Sequence, residues 1–203
     1  MSNDELIKTY KYRYDTVLCP LATKLEDHIR DIVIYSRIDR ICARAKSPGS
    51  FIEKAEKLEN GKKKYHDPLN QIHDQIGARI VAHYLCDVEP LCEIVNSYFA
   101  PIEEKLIFPD SEKEFDYEGM HYILFLPKDL ITPELPKEHC PTFFELQIKT
   151  LFQHAWAEAD HNLAYKPIEE LSKDQKRRVA FAAAQAWGAD HFFNLLFGEL
   201  LDS

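Results

Sequence analysis

The sequence predicts an α+β fold, in which a mixed sheet of about five strands is flanked by helices and further helices lie at both ends of the chain. Two observations support this prediction. Short alternating runs rich in β-branched and aromatic residues are separated by stretches of helical period, without a regular βαβ rhythm. In addition, 45% of the 203 residues are hydrophobic, which is enough for the core of one domain.

The N-terminal half contains helices and two strands. Apolar residues recur with a helical period from DELIKTYKY to DHIRDI, and Pro20 predicts a kink or break in this helix. VIYSRIDRICARAKS alternates as a strand, and we expect the next helix to begin at Ser50 and to stop at Asn60-Gly61. A short helix in DPLNQIHDQ then leads to a strand in GARIVAHYL.

The C-terminal half continues with a helix in DVEPLCEIVNSYFAPI, for which Asp87 is the expected N-cap. The polar stretch PDSEKEFD precedes a strand in YEGMHYILFL, and a Pro-rich loop leads to a strand in FFELQIK. The residues that follow are predicted to be helical through Lys166, and SKDQKRRVAFAAAQAWGADHFFNLLFGELL is predicted to be a long final helix.

Composition excludes several classes of protein. No stretch of about 18 apolar residues occurs and the N-terminus does not resemble a signal peptide, so we expect a cytoplasmic protein that does not enter a membrane. The five cysteines lack CxxC spacing and are interpreted as reduced thiols. The net charge of −9 argues against charge-driven binding of nucleic acid, although five lysines lie between Lys54 and Lys64.

The stretch RAKSPGSFIEK has the residues to bind phosphate groups, while the glycine-rich loops GxxxxGK[ST] and GxGxxG do not occur. Arg44 and Lys46 lie at a strand end, and Lys54 lies one turn into the next helix. An N-cap at Ser50 would direct free backbone N–H groups towards an anion. The alternative interpretation is a solvated basic turn.

Two carboxylates lie on neighbouring segments of the predicted sheet. Asp74 lies just before the GARIVAHYL strand, and Glu145 shares a strand face with Gln147. Such a pair is unfavourable when buried unless a cation neutralises it, and Mg²⁺ is commonly bound by one or two carboxylates together with substrate phosphates. The alternative is an ordinary salt bridge with Arg79 or Lys149.

Tyr117, Gly119 and His121 also have the period of a strand. They would present an aromatic ring, bare backbone and an imidazole on one face, which suits the stacking of a base near phosphate groups. Ordinary packing within a sheet would give the same pattern.

His154, Glu158 and His161 lie on one face of the helix that follows FELQIKT. Their spacing does not match a common zinc signature. We therefore expect them to brace the strand that carries Glu145 through hydrogen bonds.

Four segments in this order resemble blocks of the synthetase domain of the RelA/SpoT family. They are RAKSPGSFIEK for RxKxxxSxxxK, HDQIGARIV for DxxGxR, DYEGMHY for GYxSxH, and FELQIKTLFQHAWAEADHNLAYK for ExQIRT…HAWAExxHxxxYK. The resemblance covers roughly Arg37 to Lys166. It implies a fold akin to nucleotidyltransferases and transfer of pyrophosphate from ATP to the 3′-hydroxyl of GDP or GTP.

The resemblance also implies roles for individual residues. Asp74 and Glu145 would bind Mg²⁺, and Glu145 would accept the proton of the attacking hydroxyl. The residues implied for ATP are Arg44, Lys46, Ser47, Lys54 and Arg79. Those implied for the acceptor nucleotide are Lys113, Tyr117, His121 and Gln147.

The sequence departs from the family pattern mainly near the acceptor. Asp116 and Gly119 replace the Gly and Ser of GYxSxH, Phe115 stands where Asn is usual, and Lys149 replaces the Arg of QIRT. An adenine nucleotide or the 3′ end of tRNA, as in the toxic small synthetases of the family, is therefore an alternative acceptor. The charge of −9 disfavours tRNA, whereas the lysines between Lys54 and Lys64 favour it. A further alternative is an inactive module that senses nucleotides.

The resemblance divides the chain into an N-terminal helical segment (1–36), a synthetase domain (37–166) and a C-terminal helix (167–203). Only 43 residues precede Arg44, too few for the hydrolase domain of the long family members, so we expect a synthetase alone. The final helix is too apolar to be exposed along its whole length. It packs on the domain or forms a homo-oligomer, which is the interpretation that we prefer.

Overall fold

The computed structural model describes residues 3–109, 111, 114–116, 118–164 and 171–201. The strands are β1 (Ile38–Ala45), β2 (Leu58–Glu59), β3 (Lys62–Lys63), β4 (Ile76–Ala82), β5 (Pro101–Ile107), β6 (Gly119–Phe125) and β7 (Phe143–Thr150). The α-helices are α1 (Asn3–Arg13), α2 (Cys19–Ile32), α3 (Pro48–Ala55), α4 (Pro68–Gln71), α5 (Val88–Tyr98), α6 (Leu151–Ala164) and α7 (Lys173–Leu201). Lys166, the predicted end of α6, lies outside the described residues.

The main sheet has five strands in the order β1-β4-β7-β6-β5. β4 and β7 run parallel and the other neighbours run antiparallel, so the predicted α+β fold with a mixed sheet is confirmed. β2 and β3 form a separate hairpin, in which Asn60 and Gly61 have φ angles of 52° and 75°. A two-residue hairpin turn requires such positive φ angles, which Asn and Gly adopt most readily.

The two faces of the main sheet differ in chemistry because side chains alternate along each strand. Buried apolar side chains occupy one face and form the core with α1, α2 and α5: they include Ile41, Ala78, Ile80, Tyr122, Leu124, Phe144, Leu146 and Ile148. The opposite face carries Arg44, Arg79, His121, Glu145 and Gln147. Gln147 lies between Arg79 and His121 on the neighbouring strands, and Glu145 lies between Gly77, which also neighbours Arg44, and Ile123. One face is therefore a core and the other is a polar surface.

The N-terminal helices remain continuous, with a local irregularity, where a kink or break was predicted. A π-helical turn (Tyr14–Leu18) joins α1 to α2 and ends just before Pro20. Because proline has no N–H group for the usual helical hydrogen bond, the wider turn allows the chain to stay helical up to it. Tyr10 of α1 stacks on Phe51 of α3 with ring centroids 3.6 Å apart.

Two predicted elements differ from the structure. α3 begins at Pro48 and ends at Ala55, and its N-cap is Ser47, whose hydroxyl accepts a hydrogen bond from the Ser50 N–H at 3.2 Å. The strand β5 was not predicted, because the predicted helix extends to Ile102 and residues 103–107 carry no prediction. All but one of its residues are exposed, so it lacks the alternation of apolar and polar residues that marks a half-buried strand.

Helix α7 packs on the domain through a few side chains. Phe193 stacks on Phe152 of α6 at 5.6 Å, and Thr150 donates a hydrogen bond of 2.5 Å to the buried carboxylate of Asp190. In the part of the chain that the structure describes, neither α7 nor any other helix is long and apolar enough to cross a membrane.

Candidate active site

A cleft of about 1070 Å³ lies on the polar face of the main sheet. Its walls come from β1, β4 and β7 together with α3 and α6. The sequence-predicted residues that line it are Arg44, Lys46, Ser47, Ser50, Lys54, Asp74, Arg79, Glu145, Gln147, His154, Glu158 and His161. Segments that are far apart in the sequence thus meet in one cavity.

Asp74 lies between α4 and β4, where two lysines contact it. Its Oδ2 atom lies 3.1 Å from Lys46 Nζ and accepts a hydrogen bond from Lys54 Nζ at 2.8 Å. Burial by itself raises the pKa of Asp74, but the charges of Lys46 and Lys54 outweigh it and hold this pKa below its usual value. Its other oxygen, Oδ1, is buried without a hydrogen-bond partner among the described residues.

The backbone next to Asp74 is fixed by two buried polar side chains, Arg13 and Gln75. Arg13 donates hydrogen bonds to Gln75 Oε1 at 2.9 Å and to the Leu69 carbonyl at 2.8 Å. Gln75 in turn donates to the carbonyls of Leu69 and Ile72 at 2.8 and 2.9 Å. Sequence reasoning missed both residues, because a lone arginine in an amphipathic helix carries no signal of its distant partner.

Glu145 occupies the centre of the sheet, opposite Gly77 of β4. His121 of β6 contacts it, with 2.9 Å between Nδ1 and Oε1. Burial acts to raise the pKa of Glu145, but the hydrogen bond from His121 outweighs it and lowers this pKa, while the charge of Asp74 acts in the opposite direction. The two predicted carboxylates are therefore close enough to interact, and both are ionised at neutral pH.

Arg79 of β4 points towards helix α6. Its Nη1 atom donates to Glu158 Oε1 at 2.6 Å and lies 3.0 Å from His154 Nδ1. The expected brace behind Glu145 is therefore placed differently: His154 and Glu158 hold an arginine of the neighbouring strand. The alternative of a salt bridge between Arg79 and Glu145 is also not seen, since Glu145 contacts His121.

The remaining acceptor residues are only partly described. Gln147 is the cross-strand neighbour of His121, and its Oε1 atom is buried with no partner in the described ranges. Lys113 and Tyr117 lie outside the described residues. Lys149 follows on the same strand, where burial and the charge of Arg79 lower its pKa to about 7.

Sequence reasoning also missed several residues of the cleft wall. Arg40 and Cys42 line it beside Arg44, and Tyr14 and Lys57 also line it. The signal for Arg40 was present, because Arg40, Cys42 and Arg44 recur with the period of a strand and Arg44 was already a candidate.

The two carboxylates form a donor set that suits a magnesium ion. Mg²⁺ prefers oxygen ligands and usually takes only one or two protein carboxylates, with phosphates and water completing its shell. Asp74 supplies a buried oxygen without a hydrogen-bond partner among the described residues, and the ionised carboxylate of Glu145 faces the same cleft.

Comparison with known proteins gives consistent results. A family model described as a region found in RelA/SpoT proteins matches residues 43–170. The GTP pyrophosphokinase YjbM of Bacillus subtilis (strain 168) is 25% identical over 174 residues, which cover 83% of this chain and 76% of that protein.

Solved structures share the fold. The crystal structure of the small alarmone synthetase 1 from Bacillus subtilis bound to its product pppGpp superposes with a TM-score of 0.76 at 21% identity, covering 97% of this chain and 99% of that one. The structure of smu.1046c from Streptococcus mutans UA159 has a TM-score of 0.71 at 25% identity, covering 89% and 94%.

Proposed function

Because the chain belongs to the RelA/SpoT family, we propose that it is a pyrophosphokinase that transfers pyrophosphate from ATP to the 3′-hydroxyl of GDP or GTP. The products are AMP and a guanine nucleotide with a 3′-pyrophosphate. The observation that supports this most directly is the pairing of two ionised carboxylates, Asp74 and Glu145, with a row of cations in one cleft. The similarity to a GTP pyrophosphokinase agrees with it.

The donor nucleotide binds between β1 and α3. Arg44, Lys46, Lys54 and Arg79 neutralise the phosphates of ATP, and Ser47 caps α3 so that its first N–H groups face the same anions. In the structure Lys46 and Lys54 contact Asp74, so phosphates that bind here compete with this carboxylate for both lysines. Positioning and charge neutralisation are the main requirements of such a transfer.

Glu145 accepts the proton of the attacking 3′-hydroxyl. A general base must be ionised before it can act, and the contact with His121 keeps the pKa of Glu145 low despite burial. Asp74 and Glu145 would together hold Mg²⁺, which supplies charge neutralisation to the phosphates and acidifies a nearby hydroxyl.

The acceptor nucleotide lies on the β6 side of Glu145. His121 and Gln147 are neighbours there across β6 and β7, and both can contact acceptor phosphates. Lys113 and Tyr117 are assigned to this half by family resemblance, Lys113 to the phosphates and Tyr117 to the base. Guanine is the proposed base, and the departures at Phe115, Asp116 and Gly119 make acceptor choice the property to test first.

Product identification tests this proposal. The purified protein is incubated with ATP and Mg²⁺ and with GDP, GTP, AMP, ADP or deacylated tRNA in turn, and the products are identified by mass spectrometry. We expect AMP together with GDP or GTP that has gained a pyrophosphate. If tRNA or an adenine nucleotide is modified and neither GDP nor GTP is, the acceptor assignment is overturned. Tight nucleotide binding without any product would favour the inactive sensor.

We also propose that the protein forms a homo-oligomer through α7. Large apolar side chains on this helix are exposed, including Phe181, Phe192, Leu195, Leu196, Leu200 and Leu201. A run of exposed apolar side chains of this size is typical of a protein interface. Substitution of Phe192 by Glu should lower the oligomeric mass measured by light scattering if this surface is used.

A further inference from the structure

The outer edge of the main sheet is open at β5. This strand pairs with β6 on one side, and within the described residues no strand pairs with its other side. Six of its seven residues are exposed, and Ile102 and Leu106 retain 49% and 54% of their accessible surface. An open edge presents unpaired N–H and C=O groups, which another strand can bind.

We propose that β5 pairs antiparallel with β5 of a second copy of the chain, centred on Glu104, so that two five-stranded sheets become one continuous sheet. Such a contact is isologous, because each copy contributes the same strand. It is separate from the proposed α7 contact and does not depend on the catalytic activity.

The sequence of β5, PIEEKLI, complements itself in this register. Glu103 of one copy faces Lys105 of the other, and the symmetry generates this pair twice. Ile102, which lies where the register of β5 against β6 shifts, would come opposite Leu106, also twice. Opposite charges and apolar pairs at facing positions are the cross-strand contacts that stabilise antiparallel strands.

Other symmetric registers lack this complementarity. A centre at Glu103 places the two Glu103 side chains opposite each other and Ile102 opposite Glu104. A centre at Lys105 places two lysines opposite each other and Glu104 opposite Leu106. Each of these three centres places one pair of like charges opposite each other, but only the centre at Glu104 also gives two attractive Glu103–Lys105 pairs, which favour this register.

One unfavourable pair remains in the selected register, since Glu104 faces itself across the symmetry axis. The structure turns this carboxylate away from the open edge: Glu104 Oε1 accepts a hydrogen bond of 3.0 Å from the Tyr122 hydroxyl of β6. A Gln at this position would keep the acceptor for Tyr122 and remove the repulsion. The Glu104→Gln variant should therefore dimerise more tightly than the wild type.

The pairing would also bear on the acceptor half of the cleft. Lys105 is the cross-strand neighbour of His121, and Glu103 is the neighbour of Ile123, which in turn faces Glu145. A second copy would thus extend the sheet next to β6, the strand that carries His121. β5 would then be paired on both edges, with β6 on one side and with the second copy on the other.

Charge reversal provides the test. Glu103→Lys and Lys105→Glu each replace both attractive pairs with repulsive ones, and each should weaken the dimer about tenfold or more, given the usual strength of cross-strand charge pairs. The double variant with both substitutions restores opposite charges and should dimerise like the wild type. Sedimentation analysis over a range of protein concentration measures all four proteins, with circular dichroism as the control for folding.

A mixing experiment makes the test independent of folding defects. Equal amounts of the Glu103→Lys and Lys105→Glu variants, one of them affinity-tagged, should form a mixed pair, because both contacts between positions 103 and 105 then join opposite charges. The same set in the Phe192→Glu background separates this contact from α7. The proposal is overturned if both single variants associate as strongly as the wild type. It is also overturned if the protein with Phe192→Glu as its only substitution stays monomeric. Failure of the mixture or of the double variant to associate also overturns it.

Discussion

The two halves of the cleft are built differently. The donor half, formed by β1, α3 and the loop of Asp74, is supported by buried side chains of α1. The Tyr10 hydroxyl donates to the Lys46 carbonyl at 2.9 Å, and Arg13 fixes the backbone around Asp74 through Gln75. Groups held by buried partners are preorganised, so under the proposed function the backbone of this half would need little rearrangement when phosphates bind.

The acceptor half has much less buried support among the residues that the structure describes. β5 is exposed, and the segment that follows it touches the domain through contacts such as that of Phe115 with Trp187 of α7, whose ring centroids are 5.7 Å apart. Under the proposed function, the donor phosphates would bind in the half with buried support, while acceptor choice would depend on an exposed strand and on contacts with the C-terminal helix. This arrangement would allow acceptor specificity to change without loss of the reaction.

The largest effect is expected at the carboxylates that the two halves share. Asp74→Asn and Glu145→Gln keep size and shape but remove the charge, and each should lower the rate of transfer by about 10²–10⁴-fold, the usual contribution of a positioned base or its equivalent. The measurement is the initial rate of AMP formation with saturating ATP and acceptor.

Glu59→Gln is the matched control, because Glu59 lies in the exposed β2–β3 hairpin and contacts Lys64 rather than the cleft. It should be as active as the wild type. Near-normal transfer by either folded cleft variant would contradict the assignment of Asp74 and Glu145.

The donor half was largely predictable from the sequence for a physical reason. A strand end, a turn and a helix start follow one another in RAKSPGSFIEK, so local rules alone bring Arg44, Lys46 and Lys54 near each other. Alternation along a strand likewise predicted that Glu145 and Gln147 share a face. The structure adds that both face the cavity that contains Asp74.

The rest could not be read from local pattern. β5 has no buried face to impose alternation, and Arg13 finds Gln75 across 62 positions of the chain. The contact of Arg79 with Glu158 depends on how α6 folds back over β4. Each of these features is decided by tertiary packing, which residue spacing does not encode.

A second prediction separates the two halves by their Michaelis constants. Lys54→Met removes a cation from the donor half, and His121→Gln removes the imidazole from the acceptor half. Loss of a charge-assisted contact should raise the KM for the nucleotide of that half by about 10- to 100-fold. We expect Lys54→Met to raise the KM for ATP and His121→Gln that for the acceptor. Equal effects of one variant on both constants would contradict the division of the cleft.

The smallest effect concerns the support of the acceptor half by α7. Asp190 is 2% exposed, its Oδ2 accepts the hydrogen bond from Thr150, and its Oδ1 is buried without a partner among the described residues. Burial raises its pKa to about 6, and although Thr150 and His191 act to lower this pKa, Glu118 acts to raise it further. A carboxylate with a raised pKa favours the folded state when protonated, so its contribution is present at low pH and is lost as the pH rises through about 6.

The wild type should therefore lose about 1 kcal/mol of unfolding free energy, relative to Asp190→Asn, between pH 5 and pH 8. Urea unfolding at several pH values measures this difference. Asp174→Asn is the control, because Asp174 is an exposed residue of the same helix that pairs with Arg178. If the unfolding free energies of the wild type and Asp190→Asn change in parallel with pH, Asp190 is ionised throughout. The contact between Thr150 and α7 would then involve a buried, charged Asp190. Its contribution to the unfolding free energy would be smaller at every pH than the hydrogen bond alone indicates.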